Sequence, residues 1–255
     1  QQNWGGTFAD YGMTIIPNYY EEYDNVNPAE VLVANEIQVA NIDQFIDYSF
    51  NYGAWLELYN NSDKKVNLGG LFVTDDPNNP TKFMIPMGYG VVQPYGFKTI
   101  YFDHNAADGV YGETANKQVR FDLNDEGGTI YLADSTGKIF ITQNYPISIA
   151  RCSYARKTDG TGEWAMTGEP TPGKSNNNSD FSSQRLDAPV VDTDSKLFTS
   201  PFTVNVTIPA GATLRYTTDG STPTKESSIS TDGVFNISET TPLRLRLFRQ
   251  GYLPS

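Results

Sequence analysis

The sequence predicts an all-β protein built as two modules in series. Its 22 Gly, 15 Pro and 13% aromatics, with many Thr, Asn and Tyr, favour short strands and turns over helices. No window sustains an apolar period of 3.6 residues; Val26 to Ala40 comes nearest, and its Val and Asn suit a strand better. The 255 residues suffice for two domains of ordinary size, and charge divides them unevenly. Residues 185–255 carry 7 Lys+Arg and 7 Asp+Glu, so the whole net charge of −12 falls in residues 1–184. Such an acidic module repels phosphate backbones, which argues against nucleic acid as a partner.

Taken in order, residues 1–29 read as a leader or tether rich in aromatics and acids, ending at Pro28. Val31 to Val39 is the first predicted strand. Asn41 to Tyr52 reads as a loop, long enough to be a functional insertion. Trp55 to Tyr59 alternates, with Leu56 and Leu58 on one face and Trp55, Glu57 and Tyr59 on the other. Asn60 to Asp63 are turn formers, and Val66 to Val73 resumes the strand pattern around Gly69-Gly70. Further strands are predicted over Thr81–Pro86, Lys98–Phe102, Val119–Leu123, Thr129–Leu132, Lys138–Thr142 and Ser148–Arg156. Asn124–Gly128 and Asp134–Gly137 are predicted hairpin turns. Residues 177–184 read as a linker by composition. The second module spans 185–255, with strands over Pro201–Ile208, from Ala212 into the Asp219-Gly220 turn, and over Thr241–Phe248.

Four stretches of residues 30–176 resemble the lamin tail domain: Asn35-Glu-Ile37, Trp55-Leu-Glu-Leu-Tyr-Asn60, Asp159-Gly-Thr-Gly-Glu-Trp164 and Thr171-Pro-Gly-Lys-Ser-Asn176. Leu214-Arg-Tyr-Thr-Thr-Asp-Gly-Ser-Thr-Pro-Thr224 resembles the chitobiase/β-hexosaminidase C-terminal domain. The two resemblances imply two Ig-like β-sandwiches in series. The second implies one more strand after Gly251-Tyr-Leu-Pro-Ser255, so the chain reads as part of something longer. The pair resembles accessory regions found beside spore-coat kinase domains and secreted hydrolases.

Catalytic signatures are sparse. Glu36 and Glu57 form a possible carboxylate pair of the kind glycosidases use. Asp75-Asp76 and Asn124-Asp125-Glu126 lack the spacing of a calcium loop and suit Asx turns. His104, the only histidine, stands near Asp103 and Asp108 without a nucleophile motif. Cys152 is the only cysteine, so no internal disulfide forms, and it reads as a small core residue. No cofactor, metal site or membrane span is expected. The expected partner face comprises Trp55, Glu57 and Tyr59, with Arg215, Arg244 and Arg246 on the second module; the loop aromatics Tyr19, Tyr20, Tyr23, Tyr48, Tyr52, Tyr95 and Tyr111 are of the kind on which sugar-binding modules stack rings. Its expected partner is a neighbouring domain, a surface protein or a glycan. The expected function is non-catalytic adhesion or scaffolding within a larger secreted or surface protein of bacteria, its leader peptide removed. The alternatives are a carbohydrate-binding accessory module and a carboxylate hydrolase.

Overall fold

The computed structural model describes residues 22–47, 50–87, 89–105 and 118–255. Asn27 caps one helical turn, α1 (Pro28–Val31), its side chain accepting the Ala29 N–H. The first module then runs through β1 (Leu32–Gln38), β2 (Ala54–Asn60), β3 (Val66–Asn67), β4 (Phe72–Thr74), β5 (Phe83–Met84), β6 (Val91–Val92), β7 (Phe97–Phe102), β8 (Gln118–Val119), β9 (Gly128–Ala133), β10 (Ile139–Tyr145), β11 (Ser153–Arg156) and β12 (Trp164–Thr167). A six-stranded sheet, β12-β11-β1-β2-β7-β8, packs on a four-stranded sheet, β10-β9-β4-β5, with β3 and β6 pairing beside them.

The core between these sheets takes Leu32, Ala34, Ile37, Leu56, Leu58, Ile100 and Phe102 from the larger sheet, and Val73, Ile130, Leu132 and Ile141 from the smaller. Each of these larger side chains contributes about 1.5–3 kcal/mol on burial, Ala34 less. Leu32 and Ala34 are in phase, but Ile37 is not. A bulge between Ala34 and Glu36 corrects the phase, leaving Asn35 as the extra residue opposite Glu57. Asn35 and Glu36 therefore both leave the apolar core, and Ile37 returns to it.

Several expected elements changed on folding. Val119 to Leu123 is not one arm of a hairpin. Only Gln118–Val119 pairs, parallel to β7, while β9 belongs to the other sheet. The Asn124–Gly128 turn is thus a crossing between sheets, which buries Val119, Phe121 and Leu123. Thr81–Pro86 pairs only over β5, and Ser148–Arg156 only over β11. Asp134–Gly137 does join β9 to β10 as a hairpin, its Asp134 carboxylate capping Thr136 and Lys138 N–H groups.

The second module comprises β13 (Val190–Val191), β14 (Phe202–Thr207), β15 (Thr213–Thr217), β16 (Ser228–Ser230), β17 (Val234–Ile237) and β18 (Arg244–Phe248). Sheets β13-β14-β17 and β16-β15-β18 enclose a small core of Val204, Val206, Leu214, Ile237 and Leu247. Leu247 faces that core. Arg244, Arg246 and Phe248 face outward, toward the first module. The last residues, Leu253 and Pro254, are buried, and the Ser255 N–H donates to the Leu247 carbonyl.

Candidate functional site

The outer face of the six-stranded sheet is not open to water. Residues 168–177 run across it as a strap, pinned by buried side chains. The Thr171 N–H donates to both Glu36 oxygens, at 3.1 and 3.2 Å, and the Thr171 hydroxyl lies 3.0 Å from Glu36 Oε2. The Ser153 hydroxyl donates to Glu36 Oε1. The Gly173 N–H donates to Glu57 Oε2 at 2.5 Å. Asn35 Nδ2 donates to Glu57 Oε1 at 3.3 Å and to Asp159 Oδ1 at 3.0 Å. Asn176 closes the circle: its N–H reaches Asp159 Oδ1, and its side-chain amide reaches the Asn35 carbonyl. The Gly160 N–H meets Asn35 Oδ1. Gly160 has φ +75, and a Cβ there would stand 2.9 Å from the Tyr59 ring, so the position admits only glycine.

Glu36 and Glu57 are cross-strand partners, and both are 0% exposed. Burial pushes Glu36 up to about 7, and pushes Glu57, with the charge of Glu36 adding to it, up to about 9. Two coupled carboxylates on neighbouring strands in a dry site titrate as a pair. Hydrogen-bond directions independently call for a proton there. The Thr171 hydroxyl has one hydrogen but contacts two acceptors, Glu36 Oε2 and, at 2.5 Å, Asn176 Oδ1. A proton on Glu36 Oε2 resolves this: Glu36 donates to Thr171, which donates to Asn176. Glu57 accepts from the Gly173 N–H and Asn35 Nδ2, and burial with the Glu36 charge favours its neutral form as well.

A second convergence lies between the modules. Asp43, in the loop after β1, accepts a fork from Arg151 at 2.8 and 2.7 Å. The same carboxylate receives Thr222 at 3.2 Å and Arg244 at 3.3 Å from the second module. The Arg151 hydrogen bonds hold the Asp43 carboxyl below the usual carboxylate range. Lys225 reaches back to Glu169 at 2.6 Å and Asp180 at 2.7 Å. Pro254 packs so closely on Gly168 that a Cβ at Gly168 would lie 2.2 Å from its Cδ. The stretch expected to be a linker is therefore docked: Phe181 bridges to Thr167, and the Ser182 N–H donates to the Met166 carbonyl. Its polar composition serves hydrogen bonds to the sheet edge rather than solvation.

Residues 28–148 match the family model described as Lamin Tail Domain, and residues 193–255 that described as Chitobiase/beta-hexosaminidase C-terminal domain. Residues 28–148 are thus a lamin tail domain, followed at residues 193–255 by a chitobiase/β-hexosaminidase C-terminal domain. No curated protein and no solved structure matches it. Both domains are Ig-like, all-β modules, consistent with an accessory region of a larger protein. β11 and β12 continue the lamin tail domain's larger sheet beyond the matched span.

The partner face expected on the lamin tail domain is corrected by the fold. Trp55, Glu57 and Tyr59 do share a face, yet Trp55 and Glu57 are 0% exposed. Phe45 packs edge-on to Trp55 at 6.0 Å, and Trp55 Nε1 donates to Gln38 at 2.8 Å. Tyr59 is half-buried against Phe97. Glu36 and Glu57 lie beneath the strap, both with 0% exposure. On the chitobiase-type domain, Arg215 and Arg246 are direct cross-strand partners, as Thr217 and Arg244 are. Arg246 is only 6% exposed, and its Nη2 has no hydrogen-bond partner. Arg244 is exposed and meets Asp43, while Arg215 donates to the Ser227 carbonyl. Cys152 is buried, and burial pushes its thiol up.

Among loop acids, Asp75 pairs with Lys82, Asp76 caps Asn78, and Asn124 caps Glu126. Asp103, His104 and Asp122 bring three possible ligand groups within 4.8 Å. His104 is bonded to Asp122, however, and the Asp103 oxygens receive Asn51 and the Asn105 N–H. Tyr23, Tyr52 and Tyr95 are exposed. Asp108, Tyr19, Tyr20, Tyr48 and Tyr111 lie outside the described residues. No helix among the described residues is long and apolar enough to cross a membrane. Sequence reading missed Asp43, Glu169, Asp180 and Lys225 as a set; the unusual length of the loop holding Asp43 was the one signal.

Proposed function

We propose that this chain is a non-catalytic adhesion or scaffold segment of a larger secreted or cell-surface bacterial protein. The observation that carries this reading is the junction, where one Asp43 carboxylate ties Arg151 of its own module to Arg244 and Thr222 of the next. A two-module unit fixed in this way spaces its neighbours at a set distance, which is what a scaffold requires and a flexible tether does not supply. The sealing of Glu36 and Glu57 supports the non-catalytic half of the reading. The expected partner is a neighbouring domain, a surface protein or a glycan.

The test is tumbling. NMR relaxation on the two-module chain should give one correlation time for both modules, and Asp43→Ala should separate them. Two independent correlation times in the unsubstituted chain would refute the scaffold reading. Turnover of a glycoside or ester that disappears in Glu57→Gln, with the fold retained, would refute the non-catalytic one.

A further inference from the structure

Between the modules lies an open cleft of about 380 Å3. Volumes of about 300–1,000 Å3 suit small ligands, and domain junctions are favoured places for them. One wall is the outer face of β15 and β18, the other the start of the strap. Arg215, Lys225, Arg249 and Tyr252 face Glu169 and Asp180 across it. Lys225 bridges both acids, and with Arg215 and Arg249 the lining holds three cations against two acids, a net charge of +1. Directly beside Arg215 stands Arg246, buried, with its unpartnered Nη2. In a chain of net charge −12, this concave lining is net positive, with Arg246 behind it on the same sheet.

We propose that this junction cleft binds an acidic oligosaccharide, one whose rings bear carboxylates as well as hydroxyls. The carboxylate suits Arg215 and Arg249, whose planar forks match its two oxygens. Glu169 and Asp180 accept hydrogen bonds, and hydroxyls supply the donors they need. An acidic peptide side chain offers carboxylates without those donors, which is why the mixed lining favours a sugar. Tyr252, with Arg249 at 4.7 Å from its ring centre, gives a flat amphipathic surface at the rim. The volume accommodates one or two sugar rings.

The experiment is calorimetric titration of the two-module chain with digalacturonate, with maltose as an uncharged disaccharide and hexaglutamate as an acidic peptide. Digalacturonate should bind, weakening as salt rises, and both controls should bind at least about tenfold more weakly. Arg249→Ala removes an exposed charge and should weaken digalacturonate about tenfold with the melting temperature unchanged. Arg215→Ala should do the same, and because it also releases the Ser227 carbonyl it is judged only alongside Arg249→Ala. No digalacturonate binding at millimolar concentration overturns the proposal. Equal binding of hexaglutamate overturns it too, since the cleft would then be a general polyanion site. The inference uses the same rigid junction as the scaffold reading. A chain that tumbles as one unit yet binds no acidic sugar would retire this inference and leave that reading standing.

Discussion

Replacing Glu36 by Gln should stabilise the lamin tail domain at alkaline pH and leave it nearly unchanged at acid pH. In Glu36→Gln the amide oxygen keeps the Ser153 and Thr171 N–H bonds, and the amide N–H donates to the Thr171 hydroxyl. That is the arrangement proposed for the protonated acid. The magnitude follows from linkage. The folded value is raised from 4.5 to about 7, so the acid contributes stability that is fully present below about pH 4.5 and is lost as pH rises through about 7. Complete loss amounts to about 3 kcal/mol. For a module of this size that is a fall in melting temperature on the order of 10 °C. Glu57, raised to about 9, extends the loss to higher pH. The two effects are not additive, because the charge of Glu36 is one cause of the rise at Glu57. Calorimetric melts at about pH 5 and about pH 8 decide the matter. The variant should match the unsubstituted chain in acid and melt about 10 °C higher in base. If Glu36→Gln is equally destabilising at both pH values, Glu36 is an ionised acceptor in the fold and the proton assignment is wrong.

Trp55→Ala should cost about 3–5 kcal/mol in denaturant titrations, because a fully buried ring and its bond to Gln38 are both lost; normal stability with a lost ligand would make Trp55 a recognition residue instead. Asp43→Ala should cost about 1–3 kcal/mol and broaden the interdomain distance distribution in X-ray scattering, since Arg151, Arg244 and Thr222 lose one shared acceptor; an unchanged scattering curve would show that Lys225 and Pro254 suffice. Gly168→Ala should displace Pro254 and speed exchange of the Leu253 N–H, which is bonded to the Gln184 carbonyl at 2.7 Å; unchanged exchange would mean that the contact is soft. EDTA should leave the melting temperature unchanged, because the acids near His104 and in the turns already have protein donors. A fall reversed by calcium would contradict this.

The β class, the order of the two modules and the tight turns were legible in the sequence because each depends on neighbouring residues. Asp134–Gly137 and Asp219-Gly220 form turns for local reasons: a carboxylate caps nearby N–H groups and a glycine takes positive φ. The alternation in β2 correctly separated Leu56 and Leu58 from Trp55, Glu57 and Tyr59. A period of two says that a strand has two faces, but not what covers the second one. Here the cover comes from far along the chain: Thr171 meets Glu36 across 135 positions, and Gly173 meets Glu57 across 116. The bulge at Asn35 placed Asn35 and Glu36 together on that covered face, which strand periodicity alone does not reveal. Apart from the length of the loop holding Asp43, the junction had no sequence trace for the same reason, since Asp43 and Arg244 are 201 residues apart. Tertiary packing decided that the acidic face of the sheet is a buried hydrogen-bonded lock, because the strap's Thr171 and Gly173, with Ser153 and Asn35, supply the donors that make two buried carboxyls tolerable.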